Sequence, residues 1–368
     1  MSGHNNEPTR RKAARGRSSW VLAGCLAIVL PATVAAVAAN GDHVGELTSY
    51  FDHVQIAEPV VYRRLAVYPI LLKDYKELSG DWLTLEAAVS RGLLEVIEKG
   101  GGGSVPVVIV QNRSRRDYVF IMSGEVISGG KQTRTVRHDT VLAPGQRIEL
   151  DVYCVEAHRW QGGKQFAAGK VLLPQSIRKE LRKGADQQRV WSEVARNNEA
   201  LQSRNATGSL ELALKSGNVR KKLAEVQRSV MPRIPQGTVG FIFVDRGRAV
   251  GADFFGRDDL ARRLLPKLLD SYAVDCVLLR KGEKSFYRPS NHRAAIDFFQ
   301  RVRRAGSHRC ETPGSGAGIR TRAGGLLGDG VSLGGTVVHY GVQIQDRIVP
   351  VPKPPRPVPL RQRGSLLR

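Results

Sequence analysis

The sequence predicts an α+β fold. Three observations carry this reading. Residues 93–156 are a succession of alternating, strand-like runs; residues 174–231 change to a helical period; residues 235–344 return to strands with helices between them. Strands in one run and helices in another argue against a doubly wound parallel sheet. The expectation is a β-rich, sandwich-like N-terminal region, then helices, then a smaller α+β region with a hairpin and a kinked helix.

Each element has a local cause. In "TLEAAVSRG" (84–92), Leu85, Ala88 and Val89 share one helical face and Gly92 can end the helix. "LLEVIE" (93–98) and "VPVVIVQN" (105–112) read as strands on either side of a flexible "GGGGS". "YVFIMSGEVI" (118–127) reads as the next strand, with "RSRRD" as a hairpin loop before it. "TRTVRH" alternates, "APGQ" (143–146) is a turn, and "RIELDVYCVE" (147–156) alternates again. "PQSIRKELRK", "DQQRVWSEVARNNEALQ" and "NVRKKLAEVQRSV" have a period near that of the α-helix, and "MPRIP" (231–235) forms a joint. "GTVGFIFVDRGRAVGADFFG" is a hairpin turning at Asp245–Gly247. "DDLARRLLPKLLDSYAVD" is a helix with Asp258 as its cap, and Pro266 is expected to kink or split it. "CVLLR" reads as a strand, "NHRAAIDFFQRVRRAG" as a helix and "GTVVHYGVQI" (335–344) as a final strand. "TPGSGAGIR" (312–320) has no helix after it, which excludes a dinucleotide-binding turn.

At 368 residues the chain is long enough for two domains, divided here as 61–231 and 232–348 after a polar linker at 40–60. Its 41% apolar and 25% charged content is that of a globular chain, not a disordered one. A formal charge of +23 favours polyanions, but no nucleic-acid-reading motif accompanies it. Residues 10–17, "RRKAARGR", precede the uncharged run from Trp20 to Ala39. That is either a cleaved export signal, ending in "AVA" at 36–38, or an uncleaved membrane anchor. Both readings put the bulk of the chain outside the cytoplasm, with the membrane as a partner through residues 20–39. "LAGC" (22–25) only partly matches a lipobox, because uncharged residues continue past Cys25, and "TRR" (9–11) is a weak twin-arginine signal. The tail 349–368 is proline-rich and basic, with extended or disordered character. Cys154, Cys276 and Cys310 lie in the folded part without metal-ligand spacing. In an oxidising compartment a Cys276–Cys310 disulfide is one option. No metal or cofactor is implied.

The chemistry gathers in two stretches. "SGGKQTRTVRH" (128–138) looks like a phosphate-cradling loop but is not one. An extra glycine precedes Lys131, Gln132 stands where a magnesium-binding hydroxyl belongs, and a strand follows instead of a helix. Gly129 and Gly130 instead mark a bulge, a tight turn or a close backbone approach, flanked by Glu125 on one side and by Lys131, Gln132 and Arg134 on the other. In "YCVEAHRW" (153–160), Glu156 continues the apolar row of Ile148, Leu150, Val152 and Cys154. A carboxylate in that row must pair with a cation, accept several hydrogen bonds or take up a proton. Arg159, Lys131 and Arg134 are the candidate partners, and Trp160 offers a flat wall. A structural ion pair is the plain alternative. Tyr272, Phe254 and Phe255 read as core, and His339 as a satisfied core or rim histidine.

"SGEVISGGKQTR", "VYCVEAHRW" and "GADFFGRDDLARRLLPKLLDSYAVD" resemble the ARG and rhodanese-phosphatase-superfamily-associated (ARPP) domain, and "TLEAAVSRGLLEVIE" and "GTVVHYGVQI" fit the same pattern. The resemblance covers roughly residues 60 to 348. It implies a shared site around Glu125, Lys131, Gln132, Arg134, Cys154, Glu156, Arg159 and Trp160, without supplying their roles. Three functions follow. The first is binding of an anionic small molecule, such as a nucleotide, ADP-ribose or a sugar phosphate, by Lys131, Arg134 and Arg159, with Gln132 orienting it, Trp160 stacking and Gly129 and Gly130 admitting it. The second is hydrolysis with Glu156 or Glu125 as acid or base and Cys154 as a nucleophile, which would need His158 or another base. The third is a non-catalytic envelope protein held by charge to acidic polymers or lipid.

Overall fold

A computed structural model describes residues 44–99, 106–159, 162–163, 165–278 and 292–345. The segment 20–39, the "GGGGS" run, Trp160 and the tail 349–368 lie outside the described residues. Among those described, no helix is long and apolar enough to cross a membrane.

The fold is α+β, with a β-rich N-terminal part. Its largest sheet has nine antiparallel strands and draws on both sides of the joint at 231–235. Leu65–Leu72, Thr238–Asp245, Arg248–Phe255, Thr336–Ile344 and Leu326–Leu333 lie side by side at its centre. All eight residues of Thr238–Asp245 are buried, because both faces of this sheet are covered. Strand periodicity sends Phe241 and Phe243 to one core and Ile242 and Val244 to the other. The helices Gly45–Asp52 and Arg293–Arg304 seal the second core with Tyr50, Phe51, Phe298 and Phe299. The helix Asp258–Ala273 and the helical run 175–230 pack into the first.

The N-terminal strands form a second, six-stranded sheet, ordered Phe166–Leu172, Glu125–Gly129, Arg134–Val136, Arg147–Cys154, Val107–Asn112, Leu94–Glu98. A bridge between Ile97 and Gln165 links its two edges, so the sheet curls toward closure. Leu94, Val96, Val108, Val110, Ile127, Val136, Leu150 and Val152 fill the inside. Thr84 caps the helix Leu85–Ser90 by accepting from the Ala87 N–H, and that helix covers part of the same core.

Several local expectations are corrected. Residues 118–127 are two strands, Tyr118–Ile121 and Glu125–Gly129, in different sheets with a turn at Ser123 and Gly124 between them. "RSRRD" is therefore a connection between sheets and not a hairpin loop. The Asn112 side chain fixes it by donating to the carbonyls of Asp117, Leu142 and Ala143. The described part of "CVLLR", residues 276–278, belongs to a π-helical turn, Val274–Leu278, that extends the preceding helix instead of forming a strand. Pro266 does not split the helix Asp258–Ala273, and Asp258 is its first residue, following Arg257 at the cap position. Cys310 carries a free thiol, so no Cys276–Cys310 disulfide forms.

Candidate functional site

The two motif stretches do meet. Strand Arg147–Cys154 pairs antiparallel with Arg134–Val136, setting Cys154 opposite Arg134. Glu156, 3% exposed, then lies over the turn that precedes the shorter strand. Its Oε2 accepts from the Thr133 N–H (3.0 Å), the Thr133 hydroxyl (2.9 Å) and Arg159 Nε (3.0 Å). Gln132 Nε2 donates to the Glu156 carbonyl at 2.9 Å, and Arg134 Nη1 donates to Gln132 Oε1 at 2.9 Å. Arg159 also donates to the carbonyls of Gly130 (2.9 Å) and Gly129 (3.3 Å). The glycines are needed for this approach. Gly130 has φ +54°, and a Cβ there would fall 2.3 Å from the Phe166 ring. Burial pushes the Glu156 carboxyl up, but the bonds from Arg159, Thr133 and Thr207 outweigh it and bring its pKa to about 2. The result is a closed clasp around a permanent carboxylate.

The other residues of the predicted site are placed as follows. Arg134 Nη1 also donates to Cys154 Sγ at 2.8 Å, and Arg134 lies 3.7 Å from Glu98. Burial nevertheless raises the Cys154 thiol to about 11, against the pull of Arg134. Lys131 is half-buried, and its N–H donates to Glu98 Oε1 at 3.0 Å. Glu125, fully buried, belongs to a separate group. Its Oε1 is 2.8 Å from Lys267 Nζ, and its Oε2 accepts from the Met122 N–H at 3.0 Å. Lys267 also reaches Glu86 at 3.4 Å, and Glu125 keeps it charged despite burial. Among the described residues no hydrogen bond or ion pair joins Glu125 to Glu156. The pairing of the two motifs was legible, but the inclusion of Glu125 with them was not.

A second polar constellation joins the large sheet to the helix Gln175–Lys183 and to Asp139, which lies between the strands Arg134–Val136 and Thr140–Leu142. Asp253, paired in register with Gly341, and His339, paired with Phe255, point to the same side of the large sheet. His339 Nδ1 is 2.6 Å from Asp139, and its Nε2 is 3.3 Å from Asp253. Asp253 also takes Arg178 Nη2 at 2.6 Å and the Tyr272 hydroxyl at 3.0 Å, with Arg182 at 4.0 Å. Burial lowers the His339 pKa, but Asp139 and then Asp253 outweigh it, so the ring titrates above its ordinary value. Burial opposes ionisation of Asp253, yet Arg178, His339 and Arg182 hold its carboxyl far below the usual range. Arg178, Arg182 and the His339 ring thus face two carboxyl groups, Asp139 and Asp253.

Through Arg182 this cluster borders a cavity of about 320 Å³ lined also by Ser123, Arg137, His138, Lys183, Arg320, Arg322 and Asp329. Asp329 bridges Arg320 (3.0 Å) and Arg322 (2.8 Å), and Lys183 pairs with Glu180 at 2.6 Å. Burial and Arg137 keep His138 below its ordinary pKa, so it is neutral at pH 7. Arg182 is 6% exposed, yet its Nε and Nη1 are buried without a hydrogen-bond partner. A Cβ on Gly341 would lie 2.2 Å from Arg182 Nη2, so only glycine leaves this guanidinium its place. Sequence reasoning assigned His339 to the core and gave Arg182 no role. The available signal was Asp253, a charge inside the apolar strand "GADFF", read by the same parity that singled out Glu156.

No curated protein and no solved structure matches the chain. A family model does match it, over residues 53–342, which takes in the clasp, the buried histidine and the arginine cavity. The chain therefore belongs to the family of the ARG and Rhodanese-Phosphatase-superfamily-associated Protein domain, ARPP-1.

Proposed function

We propose that this domain binds a small anionic molecule, with the phosphate-bearing class first among candidates, in the arginine-lined cavity beside His339. The observation that carries the proposal is Arg182: a buried guanidinium with two donor atoms unpartnered among the described residues, in a cavity lined by Arg137, Lys183, Arg320 and Arg322 as well and by one acid, Asp329. Unpaired buried donors cost about 1–3 kcal/mol each, so a ligand that accepts from them recovers stabilisation the fold leaves unmet. Arginine's fork suits phosphate and carboxylate oxygens, and the neutral His138 can donate to a third. At about 320 Å³ the cavity is at the small end of the roughly 300–1,000 Å³ ligand range, which favours a sugar phosphate or a diphosphate group over a polymer.

The sequence suggested the Gly-Gly-Lys-Gln turn as the receptor for this anion. The donors of Arg134 and Arg159 are instead engaged largely by Glu156, Gln132, Cys154 and the glycine carbonyls. We read that clasp as the support of strand Arg134–Val136, whose far end carries Arg137 and His138 into the cavity. Hydrolysis by Glu156, Glu125 or Cys154 has less support: the first two carboxylates are tied to cations and the thiol is raised to about 11. Export and membrane attachment rest on residues 10–39 alone and belong to the same proposal.

Calorimetric titration with inorganic phosphate, pyrophosphate, glucose 6-phosphate and ADP-ribose tests the reading. At least one should bind saturably, and Arg182→Met should weaken it at least about tenfold. The variant should fold as stably as the wild type, since it removes an incompletely paired buried charge. No binding of any of the four at millimolar concentration, or unchanged affinity in Arg182→Met, would overturn it.

A further inference from the structure

A second cavity, about 690 Å³, lies beside Ala157 and His158, the residues that follow Glu156 in the chain. One wall is the helix Gln187–Ala200, whose Trp191, Val194 and Asn198 follow one another along a single face. The opposite wall is the loop containing Ala157 and His158 together with Asn205 and Gly208. That wall is rigidly held. The His158 N–H donates to the Thr207 carbonyl at 3.1 Å, and Asn205 closes its own turn through the Ser209 N–H (2.7 Å) and the Ser209 carbonyl (3.0 Å).

Two of the residues that line this cavity each carry a buried polar atom with no hydrogen-bond partner among the described residues. Asn198 is 8% exposed; its Nδ2 donates to the Gly208 carbonyl at 3.0 Å, but its buried Oδ1 accepts from nothing. The indole Nε1–H of Trp191, also buried, donates to nothing. One unmet acceptor and one unmet donor therefore belong to residues that border the same space. A hydroxyl answers either, because it both donates and accepts. The charged lining residues are Glu199 and Arg204, one of each sign, so the cavity lacks the cationic excess of the arginine site. Carboxylate, guanidinium and amide groups beside an indole supply fixed polar contacts and an apolar ring face together. Trp191 and Asn198 are seven residues apart, two helical turns or about 10 Å, which is longer than one sugar ring.

We propose that this cavity binds a neutral saccharide of at least two rings, with its hydroxyls pairing to Asn198 Oδ1 and Trp191 Nε1. The site is independent of the anion site: it shares no lining residue with it.

The test is titration of the full chain with cellobiose, maltose and chitobiose, followed by calorimetry and tryptophan fluorescence, with the parent monosaccharides and adenosine as comparisons. At least one disaccharide should bind saturably and more tightly than its monosaccharide. Trp191→Phe keeps an aromatic ring and removes the donor, and should weaken binding about tenfold; Asn198→Leu should do the same. Arg182→Met should bind the saccharide as the wild type does. Asn198→Leu also removes the bond to Gly208, so unfolding curves accompany both variants and the Trp191→Phe result stands if the other fails to fold. Failure of all three disaccharides to bind, tighter binding of adenosine, or wild-type affinity in a folded Trp191→Phe would each overturn the proposal.

Discussion

Two buried ionic residues in this domain have opposite degrees of completion. Glu156 is fully answered by Thr133, Arg159 and Thr207, whereas Arg182 retains two unanswered donors. The first pattern is that of a structural fastening, and the second is what the proposed anion site requires. Glu156→Gln exchanges the charge for an amide and leaves Arg159 without its counterion. It should destabilise the fold by about 2–3 kcal/mol in urea unfolding at neutral pH. The sign with pH also follows. The Glu156 pKa falls from 4.5 to about 2, so its stabilisation is complete above pH 4.5 and is lost as pH falls through about 2. The variant should lack that acid-side component.

At the level of elements, the short strand Arg134–Val136 connects the clasp to the cavity. Its start is fixed through Gln132 and Thr133, and its end delivers Arg137 and His138. The glycine turn before it sets the position of both. Gly130→Ala combines an unfavourable φ of +54° with a Cβ 2.3 Å from the Phe166 ring. We expect a loss of about 2–3 kcal/mol by urea unfolding, because the neighbour that must move is a ring against the barrel core. Anion affinity should fall along with stability, since the strand loses its anchor. A variant that is destabilised yet binds the anion normally would separate the clasp from the cavity.

Across the whole molecule, a buried charge network is built from distant parts of the chain: Asp139, Arg178, Asp253 and His339. Its pH behaviour is opposite to that of Glu156. The folded-state pKa of His339 is raised above the ordinary 6.5, so its contribution is complete below that value and is lost as pH rises through the raised pKa. Unfolding free energies measured from about pH 6 to pH 9 should decline for the wild type and decline less for His339→Gln. Loss of the ring's proton also weakens the positive field beside the cavity, so anion affinity should decline over the same interval.

From the chain alone came the fold class, the strand runs of residues 93–156, the helical run that follows, the late hairpin and the encounter of the two motif stretches. These rest on period and on glycine and proline placement, which act within a few residues of each other. Glu156 was legible for the same reason: a carboxylate breaks the apolar parity of its own strand. The position of Glu125 was not, because its partner Lys267 arrives from a helix 142 residues away. Nor was the break within residues 118–127, where a pattern continuous in sequence passes from one sheet to another. The arginine cavity depended wholly on tertiary structure. Whether a guanidinium is satisfied depends on which oxygen atoms surround it in space, and folding draws those from segments that no local period relates.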